Sequence, residues 1–105
     1  MEVTTNNKGI EELLLFGYTS SKKYKHLDKK IINKLQQAVA IMQSSKNIAA
    51  LSKHNGLRYE KLKGNLKEFE SVRLNITWRL IFKSYEDKRI EITTIELIEI
   101  SHHYD

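Results

Sequence analysis

GLRYEKLKGNLKEFESVRLNITWRLIFK, residues 56–83, decides how the chain folds. Three short runs in it, 57–63, 69–75 and 78–84, are rich in β-branched and aromatic residues, which suit a pleated, half-buried surface. Gly64-Asn65 divides the first two and Asn75-Ile76-Thr77 the next two. Gaps this short fit hairpins, so the pattern predicts an antiparallel meander. A fourth run, 90–100, follows Glu86-Asp87-Lys88. Its apolar residues fall on both parities (Ile90 and Ile92, then Ile95 and Leu97, then Ile98 and Ile100), as expected of a strand buried on both faces.

Upstream the period changes. Leu27, Ile31, Leu35, Ala38 and Met42 recur at spacings of four and three, with Ile32 and Val39 widening the stripe. This is one face of a helix, and Lys29, Lys30, Asn33, Lys34, Gln36 and Gln37 make the other. Between Gly9 and Gly17 a shorter apolar run reads as a helix with Gly17 as its stop. Ser44, Ser45 and Asn47 read as a break before one more turn at 48–51. Helices first and strands second predict an α+β domain, with two or three N-terminal helices packed on a small twisted antiparallel sheet. The 105 residues, with no internal repeat, no linker-like stretch and no proline, fit a single domain over 1–105.

Composition narrows the function classes. There is no cysteine, hence no disulfide framework and no thiolate metal site, which fits a reducing, cytoplasmic setting. Residues 1–18 hold only a short apolar run with acidic neighbours and read as neither signal peptide nor membrane span. The net charge of +5 is uneven. Residues 1–67 carry thirteen Lys and Arg against five Asp and Glu, whereas 68–105 carry five against eight. A basic half suits a polyanionic partner, although lysines also simply keep small proteins soluble.

No phosphate loop, zinc spacing or Ser-His-Asp order is present, and His102-His103 lacks the further ligands that a metal site needs. Arg73 and Arg79 flank the turn at 75–77, so hairpin register brings them near one another. They could grip a phosphate through bidentate bonds or form ion pairs with Glu70, Glu91 or Glu99. Ser101-His102-His103-Tyr104 follows the last strand, offering groups that exchange protons near neutral pH if held beside the arginines, or a frayed end. Lys61 and Lys63 share strand parity with Tyr59. With Lys67 they make a basic stripe carrying one aromatic for base stacking, or a solvated face.

Leu62-Lys63-Gly64-Asn65, Ser71-Val72-Arg73 and Trp78-Arg79-Leu80-Ile81-Phe82 together resemble the HigB branch of the RelE/ParE toxin superfamily. Its members carry a Leu-Lys-Gly-(Asp/Asn) turn, then a Ser-(Val/Ile)-Arg strand and a Trp-Arg-(Leu/Ile)-Ile-Phe strand. Lys8-Gly9-Ile10, Tyr18-Thr19-Ser20 and Glu99-Ile100-Ser101 with His103-Tyr104 look like that family too, so the resemblance spans nearly the whole chain. It implies a RelE-like fold and a type II toxin that cuts messenger RNA on the ribosome without a metal or other cofactor. In such chemistry the ribose 2′-OH attacks the neighbouring phosphate. By resemblance Arg73 and Arg79 would stabilise that phosphate, and His103 would be the acid or base, with Tyr104 or His102 assisting. Lys61 and Lys63 would hold the RNA backbone, with His54 a further candidate. The implied partners are a HigA-like helix-turn-helix antitoxin, operator DNA reached only through it, and the ribosome with bound messenger RNA. The end departs from the pattern, because many HigB toxins finish in Asp-Tyr-His. The ParE branch, which binds and inhibits DNA gyrase without cutting RNA, is the alternative function.

Overall fold

A computed structural model describes residues 1–102. Strand β5 (Ile92–His102) lies between β4 (Trp78–Asp87), which it meets antiparallel, and β1 (Glu2–Thr5), which it meets parallel. Strands β3 (Glu70–Arg73) and β2 (Glu60–Lys61) complete a five-stranded sheet of order β1-β5-β4-β3-β2. Helices α1 (Lys8–Phe16), α2 (Lys29–Ser44) and α3 (Ile48–Leu51) precede the last four strands. The α+β class stands as read from the sequence. The sheet is mixed rather than wholly antiparallel, because a first strand that the sequence reading did not foresee joins its edge.

The helical stripe packs as its period requires. Ile31, Ile32, Leu35, Ala38, Val39 and Met42 are all buried on α2, against Val72, Leu80, Phe82, Ile95, Leu97 and Ile100 on one sheet face. Asp28 caps α2 by accepting from the Lys30 N–H at 2.7 Å. Helix α1 ends where expected, at Gly17, whose φ of 79° is left-handed and costs a glycine little.

Strand β5 explains its own double parity differently from the sequence reading. Ile81 faces Glu99 and Phe82 faces Leu97, so Ile98 is an extra residue without a partner on β4. Such a bulge swaps the faces of everything beyond it. Ile100 on one side and Leu97 and Ile95 on the other therefore all reach the same core. Ile90 and Ile92, expected to be buried, are exposed. Strand β1 pairs only as far as Leu97, and side chains complete the edge beyond it. Asn7 Nδ2 donates to the Ile98 carbonyl at 3.0 Å, and the Ile100 N–H donates to the Tyr24 hydroxyl at 3.2 Å. Asn7 also caps α1, its Oδ1 accepting from the Ile10 N–H. Tyr24 reaches this position by lying over Gly9, where an added Cβ would stand 2.7 Å from its ring.

The first strand of the expected meander is mostly not a strand. Asn55–Leu57 forms a 3-10 turn that buries Leu57, and Arg58 follows in the left-handed region at φ 48°. Only Glu60 and Lys61 pair with β3 before a second 3-10 turn at Gly64–Leu66. Tyr59 packs against Phe82 and donates to Glu70 Oε1 at 2.6 Å. Ser84 Oγ donates to Glu70 Oε2 at 2.6 Å, so both oxygens of this buried carboxylate are satisfied.

Two expected outcomes follow from this packing. Gly9→Ala must push Tyr24 off the β5 edge, so it should lower stability by about 1–3 kcal/mol, read as a fall in the urea or thermal midpoint. Burial first, then the hydrogen bond to Glu70, push the Tyr59 phenol above its ordinary range. The unfolded chain releases that proton near pH ~10. Stability held by Tyr59 is therefore intact below that pH and lost as pH rises through the folded value. Tyr59→Phe should lose less stability than the wild type between pH ~8 and ~11, with equal alkaline losses as the contrary result.

Candidate functional site

The β3–β4 hairpin turns at Asn75, whose side-chain oxygen accepts from the N–H groups of Thr77 and Trp78 at 2.8 and 2.7 Å. That short turn sets the register that puts Arg73 opposite Arg79. Paired residues share a sheet face, and alternation adds Ser71, Ile81, Glu60 and Ser101 to it. This face points away from the helices, since Val72, Leu80 and Ile100, one residue along each strand, lie in the core.

Two like charges directly opposed on a sheet repel, and here one carboxylate meets only part of that repulsion. Arg79 Nη1 lies 2.8 Å from Glu60 Oε1 and donates to Ser71 Oγ at 2.7 Å. Arg73 differs: its Nε is buried and has no hydrogen-bond partner among the described residues. An unsatisfied buried donor costs about 1–3 kcal/mol, and an anion would reach it only if the side chain shifted. The pair thus makes a cationic spot with an uncommitted donor, a half-exposed carboxylate beside it and a buried hydroxyl beneath.

The other expected site residues are placed less simply. His102 is opposite Trp78, on the helix-side parity of β5, and its ring meets the Trp78 indole edge-on at 4.7 Å. It therefore does not stand beside the arginines, because alternation turns it to the other face. His103 and Tyr104 lie outside the described residues. Lys61 is opposite Glu70, again across the sheet from the arginines, and Lys63 lies beyond the end of β2. The expected stripe of Tyr59, Lys61 and Lys63 is broken by the shortness of that strand, and the Tyr59 ring is engaged by Phe82 and Glu70. Lys67 lines a cleft with Tyr59, Lys61, Glu68, Glu70 and Glu86. Its three carboxylates against two lysines make it a poor phosphate seat. His54 is exposed before the 3-10 turn and caps nothing.

Glu60 was missed because it stands inside a run of lysines and reads there as neutralising charge. Its parity, opposite to Tyr59 and Lys61, was the available signal. Among the described residues no three His, Asp or Glu side chains group to hold a metal ion, and no helix is long and apolar enough to cross a membrane.

Comparison with known proteins gives the family. The model for HigB-like toxins, the RelE-like toxin of the type II toxin–antitoxin system HigB, matches residues 8–96. No curated protein matches the chain. Similar solved structures include a YoeB/ParE toxin from Agrobacterium tumefaciens, at 13% identity and TM-score 0.60, covering 99% of this chain and 100% of that one. YafQ from E. coli strain BL21(DE3) is similar at 13% identity and TM-score 0.59, over 96% of this chain and 91% of its own. The heterotetrameric YoeB–YefM toxin–antitoxin complex of Staphylococcus aureus matches at 22% identity and TM-score 0.55, over 99% and 98%. At such identities these neighbours support the fold alone, while the family match spans most of the sequence. This chain belongs to the HigB-like, RelE-like toxins of type II toxin–antitoxin systems.

Proposed function

We propose that the protein is a metal-independent endoribonuclease that cuts messenger RNA on the ribosome, in the cytoplasm, until an antitoxin covers it. The observation that carries this reading is the opposed arginine pair, of which Arg73 is partly exposed and has no ion pair among the described residues, a cationic spot suited to a phosphodiester that bears new charge as it is attacked. In the reaction a base takes the proton of the ribose 2′-OH, the 2′-oxygen bonds to phosphorus, and the bond from phosphorus to the 5′-oxygen breaks. An acid returns a proton to the departing oxygen, leaving a 2′,3′-cyclic phosphate and a free 5′-OH. Glu60, half exposed on the arginine face and 2.8 Å from Arg79 Nη1, would accept the first proton. His103, with Tyr104, is the proposed donor, following a strand whose Ser101 faces Arg79. Lys61, Lys63 and Lys67 would steer the RNA backbone rather than touch the reacting phosphate.

The partner in this reading is a HigA-like helix-turn-helix antitoxin, and operator DNA is met only through it. The toxin–antitoxin complex among the similar folds and the family itself support an antitoxin. The chain's excess of cations supports both an acidic partner and ribosomal RNA.

The test is 5′-end mapping of messenger RNA after brief induction in a bacterial host, with wild type beside Arg73→Ala and Glu60→Gln. New ends inside translated frames, reduced on the order of 100-fold or more in Arg73→Ala, are expected. Growth arrest without new ends would overturn the reading and favour gyrase inhibition, which a supercoiling assay with the pure protein would detect. Equal cleavage by wild type and both variants would remove these residues from the site.

A further inference from the structure

The two arginines face each other but are bonded differently. Arg79 is anchored: Nη1 reaches the fully buried Ser71 hydroxyl at 2.7 Å and Glu60 Oε1 at 2.8 Å, and its side chain is only 11% exposed. Ser71 sits directly between Glu60 on β2 and Ile81 on β4. Hydroxyl, guanidinium and carboxylate therefore form one connected chain across three strands, buried at one end and open at the other, where Glu60 is 52% exposed. Donors already shared between two oxygens have less to give a phosphate than an uncommitted one. Arg73, partly exposed and without an ion pair among the described residues, is the less committed of the two.

The carboxylate needs such an anchor. Strand β2 is two residues long and ends at a 3-10 turn, so the backbone alone fixes Glu60 weakly. A half-exposed glutamate has several rotatable bonds, and misplacement of a reacting group by ~1 Å can cost on the order of 100-fold in rate.

We propose that the arginines divide their roles: Arg73 takes the phosphate, while Arg79, seated on Ser71, is a positioning residue that holds the Glu60 carboxylate for the 2′-hydroxyl. This rests on the ribonuclease reading with Glu60 as proton acceptor. Ser71 touches nothing of the substrate and acts only through Arg79.

The experiment is a double-mutant cycle on cleavage of ribosome-bound message, using Ser71→Ala, Glu60→Gln and the two combined. Ser71→Ala should lower kcat about tenfold with KM changed less than about twofold. In the Glu60→Gln background it should lower kcat no further, because its route to the reaction is already gone. A merely structural serine would cost the same in both backgrounds. Arg79→Lys, which keeps the charge but not the planar fork, should reproduce the kcat loss with the fold intact. A second readout needs no activity: the Arg79 guanidinium protons should give slow, resolved NMR signals in the wild type that collapse in Ser71→Ala and in Glu60→Gln. Additive losses in the cycle, a change in KM alone, or unaltered Arg79 signals in Ser71→Ala would each overturn the proposal. If the wild type cleaves no message, the ribonuclease reading falls and the positioning role with it, and the NMR comparison still decides whether Ser71 and Glu60 fix Arg79.

Discussion

The bulge at Ile98 is the constraint from which the rest of the molecule is built. Strand β5 lies between a parallel and an antiparallel neighbour, so any error in its register would propagate through every ladder. By skipping one residue the strand keeps Ile95, Leu97 and Ile100 in a single core although they lie on different parities. The same skip keeps Glu99 and Ser101 on the open face, in line with Ile81 and Arg79. The backbone groups beyond the end of β1 need partners, since buried amides without them are costly. Asn7 and Tyr24 provide those partners, and both belong to the segment that launches the helices. One irregular residue thus ties the placement of α1 to the face on which the arginines stand.

What the sequence made legible follows from how local each signal was. Helix α2 could be read because its period and its polar face both lie within sixteen residues. The β3–β4 hairpin could be read because Asn75-Ile76-Thr77 is a turn between two β-rich runs. Strand β1 could not. Its Glu-Val-Thr-Thr holds one large apolar residue, and its partner lies some ninety positions away, so no local pattern marks it. The bulge was hidden for another reason: apolar residues on both parities fit a strand buried on two faces as well as one that changes face midway. The expected run at 57–63 failed at Arg58, where a left-handed residue ends the extension needed for alternation.

The site divides the same way. The arginine pair was visible because hairpin register is nearly fixed once the turn is known. Glu60 was not, because its partner Arg79 is nineteen residues away and two strands over. His102 shows the reverse case, adjacent in sequence to other candidates yet turned by alternation onto Trp78. Proximity in the chain is a poor guide in a sheet, where next neighbours face opposite ways.

Electrostatics give the arrangement its sense. A protein selected for stability alone has little reason to oppose two arginines and leave one buried donor without a partner among the described residues. Local inconsistencies of this kind tend to mark functional positions, with compensation elsewhere in the fold. Here the compensation is close by: Glu60 meets half of the charge and Ser71 fixes the guanidinium that Glu60 pairs with. Among the described residues no carboxylate pairs with Arg73, so positive charge remains there. Because Arg73 and Arg79 come from paired strands of one sheet rather than from loops, their separation is set by the ladder itself. The relative position of the two arginines is therefore fixed with no anion present, which is what preorganised electrostatic stabilisation would need.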